Sequence, residues 1–504
     1  MFCLRSRFLS RSDRATLAVR QRPASIPRDF RNCSLPPDQD DSSAENDLDL
    51  PLLSVRTARE AAFVAIEEYL DSGTWVNEVL DRTFRTASLP PIERGLATEL
   101  ACGVVRRLAT LDSILSQLVA RPLEKVELPL LTILRLGIYQ LALLDAVPPH
   151  AAVHETVELT KRLGRHQWSG FVNGVLRGGT RFITQDFDTK PSSRGVPMAV
   201  DRYRRLVEPA FADPRSNPTG YFADAFSFPD WLAERWASRM SPPELFRLGA
   251  WFNSAGKLCL RVNRMRTTSE TLLSALAQAG IAAQAVEGTD SLMLEESRAV
   301  EKLPGYDEGW FAVQDVSASR AAERLAPQPG QRVWDVCAAP GGKTCHLAEL
   351  MRNEGQVIAT DIRPDRLAII EENRQRMGAN IVQTWLVGED GSRLPDGPFD
   401  AILVDVPCSN TGVLGKRPEA RWRITPTGIL ELKRVQERLL IAAIERLAPN
   451  GRLVYSTCSI EPEENGEVVR RVMSHRVDVT LVEEELFLPG QPTDGGYQAL
   501  LVRA

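Results

Sequence analysis

The sequence predicts a multidomain protein: an all-α domain in front, an α/β domain with a parallel sheet behind, and a small α+β subdomain before the latter. Three observations predict it. At 504 residues the chain exceeds a single core, at roughly 150 residues per domain. From Thr57 to about Arg181 apolar residues recur with helical spacing, and no segment alternates as a strand would. From about Gly309, short apolar runs alternate with helical patterns in the rhythm of βα units.

Residues 1–53 read as a disordered tail. Eight arginines fall in the first 34 residues, followed by six acidic residues and no basic ones between Asp38 and Asp49. An Arg- and Ser-rich, acid-poor start fits a transit peptide; a floppy tail or a misplaced start fits equally well. The all-α domain spans 54–181. It opens on Thr57-Ala-Arg-Glu60, a capping box, with Phe63, Ile66 and Leu70 on one face. Its most apolar stretch, residues 128–147, carries Arg135, Gln140 and Asp145. A charge at mid-span costs about 2.5–3.5 kcal/mol in a bilayer. A buried core helix is therefore expected, and a cytoplasmic protein without membrane contact.

Residues 182–218, rich in Pro, Ser, Asp and Arg, read as a linker, and 219–308 as the small α+β subdomain. There Phe228–Leu232 opens a helix, Leu258–Arg264 alternates as a strand, and Ser269–Gly280 is helical. The α/β domain spans 309–504. Its runs VWDV (333–336), VIAT (357–360), AILV (401–404) and LVYS (453–456) lack polar alternation, as strands of a doubly buried parallel sheet do.

Net charge is −5, so no global basic field signals nucleic acid, although a local patch can suffice. The eight cysteines form no CxxC pair. His150 and His154 have i, i+4 spacing but no third ligand, so surface histidines and no metal are expected.

Ligands of open α/β sheets bind beyond the carboxyl ends of the strands. There the four runs deliver CAAPGGKT, Asp361, DVPCSNTG and TCS. Gly342-Lys343-Thr344 matches the end of a phosphate loop, but its first glycine would be Cys337, so that match fails. A glycine turn with an acid 19 residues past Gly342 suits a ribose diol without pyrophosphate, and S-adenosylmethionine is such a ligand. Pro407-Cys408 and Thr457-Cys458 add thiols at the same rim. A thiolate adding to C6 of a pyrimidine makes C5 nucleophilic enough to take a sulfonium methyl, which is covalent catalysis needing a thiol beside the methyl donor.

DVCAAPGGK, DVPCSNTG and YSTCSIEPEEN closely resemble the RNA (cytosine-5)-methyltransferases of the RsmB/Sun type. FVNGVLR (171–177) resembles the NusB-like, RNA-binding domain that bacterial members carry in front; FAVQDVSAS (311–319) and LRVN (260–263) fit as well. The resemblance covers about residues 55–504. It implies a Rossmann-like, S-adenosylmethionine-dependent methyltransferase domain that methylates C5 of a cytosine in small-subunit ribosomal RNA. By that resemblance Cys458 matches the nucleophile and Cys408 the cysteine of product release. Cys337, Ala338, Ala339, Pro340, Gly341, Gly342 and Lys343 match the cofactor loop. Asp361 matches the ribose ligand, Asp390 the adenine-side acid, and Asp405 the acid near the methyl donor and base. Val406 and Asn410 depart from the usual alanine and smaller residue. DNA enzymes of this chemistry use the Pro-Cys thiol, here Cys408; the TCS motif and helical front favour the RNA family.

The patch GKRPEARWR offers Lys416, Arg417, Arg421 and Arg423 to phosphates and Trp422 to a base; a solvated loop fits equally. Two further readings stand beside the first: a non-catalytic RNA-binding assembly factor, and a cytosine-5 methyltransferase of another RNA. Both cysteines with all three acids argue against the assembly factor.

Overall fold

A computed structural model of the chain describes residues 55–254, 256–296, 298–490 and 493–504. The tail expected over 1–53 lies outside the described residues. The first helix begins as its sequence dictates. Thr57 Oγ1 accepts the Glu60 amide at 3.3 Å, and Glu60 Oε2 accepts the Thr57 amide at 3.0 Å, so two orphan donors are satisfied reciprocally. The helical domain comprises α1 (Ala58–Ser72), α2 (Val76–Thr86), α3 (Pro91–Arg106), α4 (Leu108–Leu118), α5 (Leu128–Leu143), α6 (Pro149–Arg162) and α7 (Ser169–Phe182). The apolar stretch forms α5, buried along nearly its whole length, and Arg135 is neutralised by Asp112 at 2.8 Å. Among the described residues no helix is long and apolar enough to cross a membrane.

Residues 182–218 are not an unstructured linker. They carry β1 (Ile183–Asp188), β2 (Gly195–Ala199) and β3 (Arg202–Leu206), an antiparallel sheet in the order β1-β3-β2. The polar composition is deceptive because the arginines act as adhesive. Arg204 is buried and pairs with Asp145 after α5, and Arg202 and Arg204 lie 4.1 and 4.9 Å from the Phe187 ring centroid.

Three helices follow, α8 (Pro218–Ala225), α9 (Asp230–Ala237) and α10 (Pro242–Asn253). Their Phe222, Phe226, Trp236 and Phe252 belong to the same core as α1–α7. The small subdomain is a sheet of β4 (Cys259–Val262), β5 (Ala283–Ala285), β6 (Ser291–Leu294) and β7 (Phe311–Val313), in the order β5-β6-β4-β7, with α11 (Ser269–Gln278). The expected boundary at 308 is therefore early. Phe311 is fully buried against Leu260 and Leu292, so β7 pairs with β4.

The last domain is a seven-stranded sheet of β8 (Arg332–Asp335), β9 (Gln356–Asp361), β10 (Val382–Leu386), β11 (Phe399–Asp405), β12 (Leu447–Thr457), β13 (Val479–Phe487) and β14 (Gly496–Arg503). The order is β10-β9-β8-β11-β12-β14-β13; the first five run parallel and β14 and β13 close the edge antiparallel. Helices α12 (Val316–Leu325), α13 (Gly342–Leu350), α14 (Pro364–Met377), α15 (Ala420–Arg423), α16 (Pro426–Glu445) and α17 (Gly466–Met473) complete the domain. Separate cores form on its two faces, one around Val333, Val357 and Leu403, the other around Trp334, Ile402 and Tyr455. Strand order turns back between β8 and β11, which opens a crevice at their carboxyl ends.

Candidate active site

Strand register sets the rim. Asp335, the last residue of β8, is level with Ala359 of β9 and Leu403 of β11, so Asp361 and Asp405 project two residues farther on either side. Asp405 is in turn level with Ser456, which places Cys458 just beyond. The loop from Val336 to Gly341 threads this gap. Val336 N–H donates to Leu403 O and Ala338 N–H to Thr360 O, both at 2.9 Å. Gly341 then caps α13 at φ 99°, a conformation that disfavours any side chain.

The rim is acidic and partly buried. Lys343 Nζ donates to Asp405 Oδ2 at 2.7 Å. Burial alone would lower the Lys343 ammonium, but the Asp405 charge and hydrogen bond, with Cys458 and Asp335 behind them, raise it. It stays a cation at the mouth of the crevice. Cys337 is pushed strongly upward by burial first and then by Asp335, Asp405 and Asp361, so this thiol stays protonated. Asp361 accepts the Arg363 amide at 3.1 Å, and its other oxygen lies 3.4 Å from Arg366 Nη1. Asp390 is exposed in the loop after β10, accepting the Ser392 amide at 2.9 Å. That hydrogen bonding from Ser392 holds its carboxyl below the usual range.

The two thiols meet. Cys408 Sγ and Cys458 Sγ are 3.1 Å apart, and both cysteines are free. The Cys408 thiol is pushed well up, first by its hydrogen bond with Cys458 and then by burial. Gly412 makes the approach possible: a Cβ there would lie 2.8 Å from Cys458 O and 2.3 Å from Gly495 O. Gly412 N–H donates to that Cys458 carbonyl at 2.9 Å.

Three residues to which the sequence assigns no role in the site belong to it. Asn410, in the left-handed region at φ 61°, accepts from Cys458 Sγ at 3.3 Å and donates to Cys408 O at 2.9 Å. Its departure from the family pattern was the signal. Glu464, inside EPEEN, is buried and accepts from Ser409, Ser459 and Gln436. Asp335 opens the glycine loop; Thr344 Oγ1 donates to its Oδ2 at 2.7 Å, and its buried Oδ1 has no partner among the described residues.

Burial pushes Asp335 up to about 7, with the Thr344 hydrogen bond opposing. The sign of the consequence is fixed. Below about pH 4 the carboxyl is protonated in folded and unfolded chains alike. As pH rises from there to about 7 only the unfolded chain gives up its proton, so stability falls across that window and levels off above it. Asp335→Asn should therefore gain urea resistance relative to the unliganded parent between about pH 4 and 7. A constant difference in urea midpoint across that range would refute the assignment.

The basic patch is corrected by burial. Arg421 is fully buried and donates to Phe252 O and Ser227 O at 3.2 and 3.1 Å, and Trp422 is buried with its indole N–H on Val105 O at 2.9 Å. Neither can reach RNA. Lys416 is paired with Asp315 at 3.1 Å and Asp494 at 2.6 Å, and Arg423 stacks on Trp75 while donating to Gly73 O at 3.3 Å. A loop with two long-range arginine contacts looks basic in sequence because its cations bind the protein itself. Arg417 alone of the set remains both exposed and without a carboxylate partner among the described residues; it donates to Asn410 Oδ1 at 3.2 Å. Among the described residues no cluster of His, Cys, Asp or Glu could hold a metal ion, and His150 and His154 are exposed on α6.

Sheet order, glycine turn and acidic strand ends define a Rossmann-like methyltransferase of the S-adenosylmethionine-dependent class. Comparison narrows the class. The family 16S rRNA methyltransferase RsmB/F matches residues 322–500, the NusB family residues 56–181, and an RsmF/B-like ferredoxin-like domain residues 228–301. A probable ribosomal RNA small subunit methyltransferase B of Synechocystis sp. is 36% identical, over 84% of this chain and 90% of its own. Ribosomal RNA small subunit methyltransferase B of Erwinia tasmaniensis is 33% identical, over 87% and 96%. A methyltransferase homologue from Pyrococcus horikoshii, 27% identical, covers 58% of this chain and all of its own at a TM-score of 0.51. The chain belongs to the RsmB/F family of 16S rRNA methyltransferases.

Proposed function

We propose that the protein transfers a methyl group from S-adenosylmethionine to C5 of a cytosine in small-subunit ribosomal RNA through a covalent Cys458–C6 adduct. The observation that carries this reading is the pair of free thiols 3.1 Å apart at the rim of a methyltransferase sheet. The names of the relatives support ribosomal RNA as the substrate.

The residues present fit the cofactor. Asp361 at the tip of β9 suits a ribose diol, the loop Cys337 to Gly342 approaches with backbone alone, and the buried, unpartnered Asp335 Oδ1 offers an acceptor. Asp390 in the loop after β10 is assigned the adenine side. When bound, S-adenosylmethionine supplies an electrophilic sulfonium methyl, which C5 takes up.

The protein's own groups do the rest. Cys458 gives its proton to water and its sulfur bonds to C6, moving electron density onto C5. Asp405, held against Lys343, borders the base. After transfer the C5 proton passes to water, its C–H electron pair re-forms the C5–C6 double bond, and the C6–S bond breaks with its pair leaving on the Cys458 sulfur. Cys408, kept as a thiol by Cys458 and by burial, faces the departing sulfur at 3.1 Å and can donate a hydrogen bond to it. The burial of Cys408, against the half-buried Cys458, weighs against Cys408 as the nucleophile. Arg417 is assigned to an RNA phosphate; the target base must lie unstacked, because the chemistry needs its face.

Asp361→Ala should weaken binding of S-adenosylmethionine by about 1–3 kcal/mol, the loss of a charge-assisted hydrogen bond. Equal affinities by calorimetry would remove the ribose role. Bisulfite sequencing of ribosomal RNA from a deletion strain tests the function: one small-subunit cytosine should lose its methylation signal, and an unchanged pattern would reject the reading.

A further inference from the structure

The acidic segment after Cys458 contains a carboxylate that the chemistry above does not use. Glu464 is fully buried, and its two oxygens gather the chain on both sides of the thiol pair. Oε1 accepts the Ser409 amide at 2.8 Å and Gln436 Nε2 at 3.0 Å. Oε2 accepts the Ser459 hydroxyl at 2.5 Å and the Ser409 hydroxyl as well. Ser409 follows Cys408 and Ser459 follows Cys458, so one carboxylate grips the residue next to each sulfur. Gln436, from α16, also donates to Pro407 O at 2.9 Å, the residue before Cys408. Tyr455 Oη reaches back to Glu464 O at 2.6 Å and fixes the backbone that carries the carboxylate.

We infer that Glu464 is the positioning residue that sets the separation of the Cys408 and Cys458 sulfurs. This rests on the two-thiol mechanism proposed above. The chemistry of the acceptor is specific. Two N–H donors and two hydroxyls occupy its lone pairs, which only an ionised carboxylate supplies in full. A glutamine would turn an amine toward donors it cannot accept from. Burial raises the Glu464 carboxyl, and the hydrogen bonds from Ser409, Ser459 and Gln436 oppose that rise. Ser409 and Ser459 hydroxyls also face each other at 3.2 Å, and Thr411 joins Ser459 at 3.0 Å, so the two loops have no direct covalent link yet share one polar knot.

Glu464→Gln should lower the single-turnover methylation rate about 10–100-fold, the penalty of sub-ångström to ångström misplacement of reacting groups. Affinity for S-adenosylmethionine should change less than about threefold, because Glu464 touches none of the rim acids. Two readouts separate positioning from mere support. Iodoacetamide labelling of Cys458, read by peptide mass mapping against pH, should shift its profile, since the neighbouring sulfur is displaced. The covalent RNA adduct should also build up relative to product, because Cys408 no longer faces the departing sulfur. Ser409→Ala combined with Ser459→Ala should reproduce the defect, with Glu464→Gln adding less than about threefold on top, as expected for residues acting as one unit. If Glu464→Gln fails to fold, the serine double variant carries the test alone. Wild-type rate, labelling profile and adduct level in either variant would overturn the inference. Activity retained in Cys458→Ala would instead remove the mechanism on which it rests, so the two failures are distinguishable.

Discussion

Cys458→Ala should abolish methyl transfer and form no covalent species with RNA, whereas Cys408→Ala should accumulate a protein–RNA adduct that survives denaturing electrophoresis. The asymmetry follows from the positions of the sulfurs. Cys458 opens the loop after β12, half-buried, with its thiol on Asn410 Oδ1 at 3.3 Å. Cys408 is buried and is held as a thiol by Cys458 and by its burial. A buried thiol with a raised pKa carries little thiolate and is a poor nucleophile, and it keeps a hydrogen to place on the sulfur leaving C6. Removing it leaves addition to C6 and uptake of the methyl intact but takes away the acid facing the C6–S bond as that bond breaks. The effect on Cys458→Ala is a loss of several orders of magnitude in rate, as for removal of any covalent nucleophile. If the adduct gathers in Cys458→Ala and not in Cys408→Ala, the roles are reversed and the chemistry is that of the Pro-Cys enzymes.

The sheet and its rim were largely legible, for a physical reason: strands buried on both faces must be apolar throughout, so β8, β9, β11 and β12 stand out as unbroken runs. Strands with a wet face were not. Trp385 of β10 and Val482 of β13 are exposed, and their segments mix polar and apolar residues as loops do. The sheet at 183–206 reads as a linker because its polar strands are held by arginine stacking on Phe187 across the sheet and by Arg204–Asp145 pairing with a residue far away in sequence. Within the site, residue types announce chemistry only when they are reactive. Two cysteines and a glycine loop are conspicuous. Glu464 looked like one acid in an acidic loop, although its neighbour Glu461 is also buried, accepting from Trp236 Nε1 at 2.9 Å and Arg239 at 2.8 Å. Whether a charge is spent on RNA or on the protein's own carbonyls depends on partners that sequence spacing does not reveal.

Arg421 shows the size of that difference. Its guanidinium, enclosed between the helical domain and the methyltransferase loop, donates from Nη1 to Arg106 O at 3.2 Å and Asn253 Oδ1 at 3.1 Å and lies 4.3 Å from the Phe228 ring centroid. Burial first, then Arg106 and Arg107, depress its pKa, while Glu419 and the surrounding acceptors oppose that fall. Beside it Trp422, Leu414 and Ala420 enter the core of the front helices. Arg421→Ala should therefore destabilise the protein by about 3 kcal/mol or more, since several buried carbonyls lose their donor and a cavity replaces the side chain. Arg421→Lys should recover little, because an ammonium cannot present the planar fork that these acceptors require. The measurement is the urea midpoint of the variants followed by tryptophan fluorescence, which reports Trp422 and Trp75 near the joint. RNA affinity per folded molecule should be unchanged in Arg421→Lys and should drop in Arg417→Ala, with a shallower salt dependence. A stable, folded Arg421→Ala with weakened RNA binding would restore Arg421 to the nucleic-acid surface and overturn its role as the bolt between domains. The loop it bolts continues directly from Cys408, Ser409 and Asn410, so a loosened joint should also slow methyl transfer in whatever fraction remains folded.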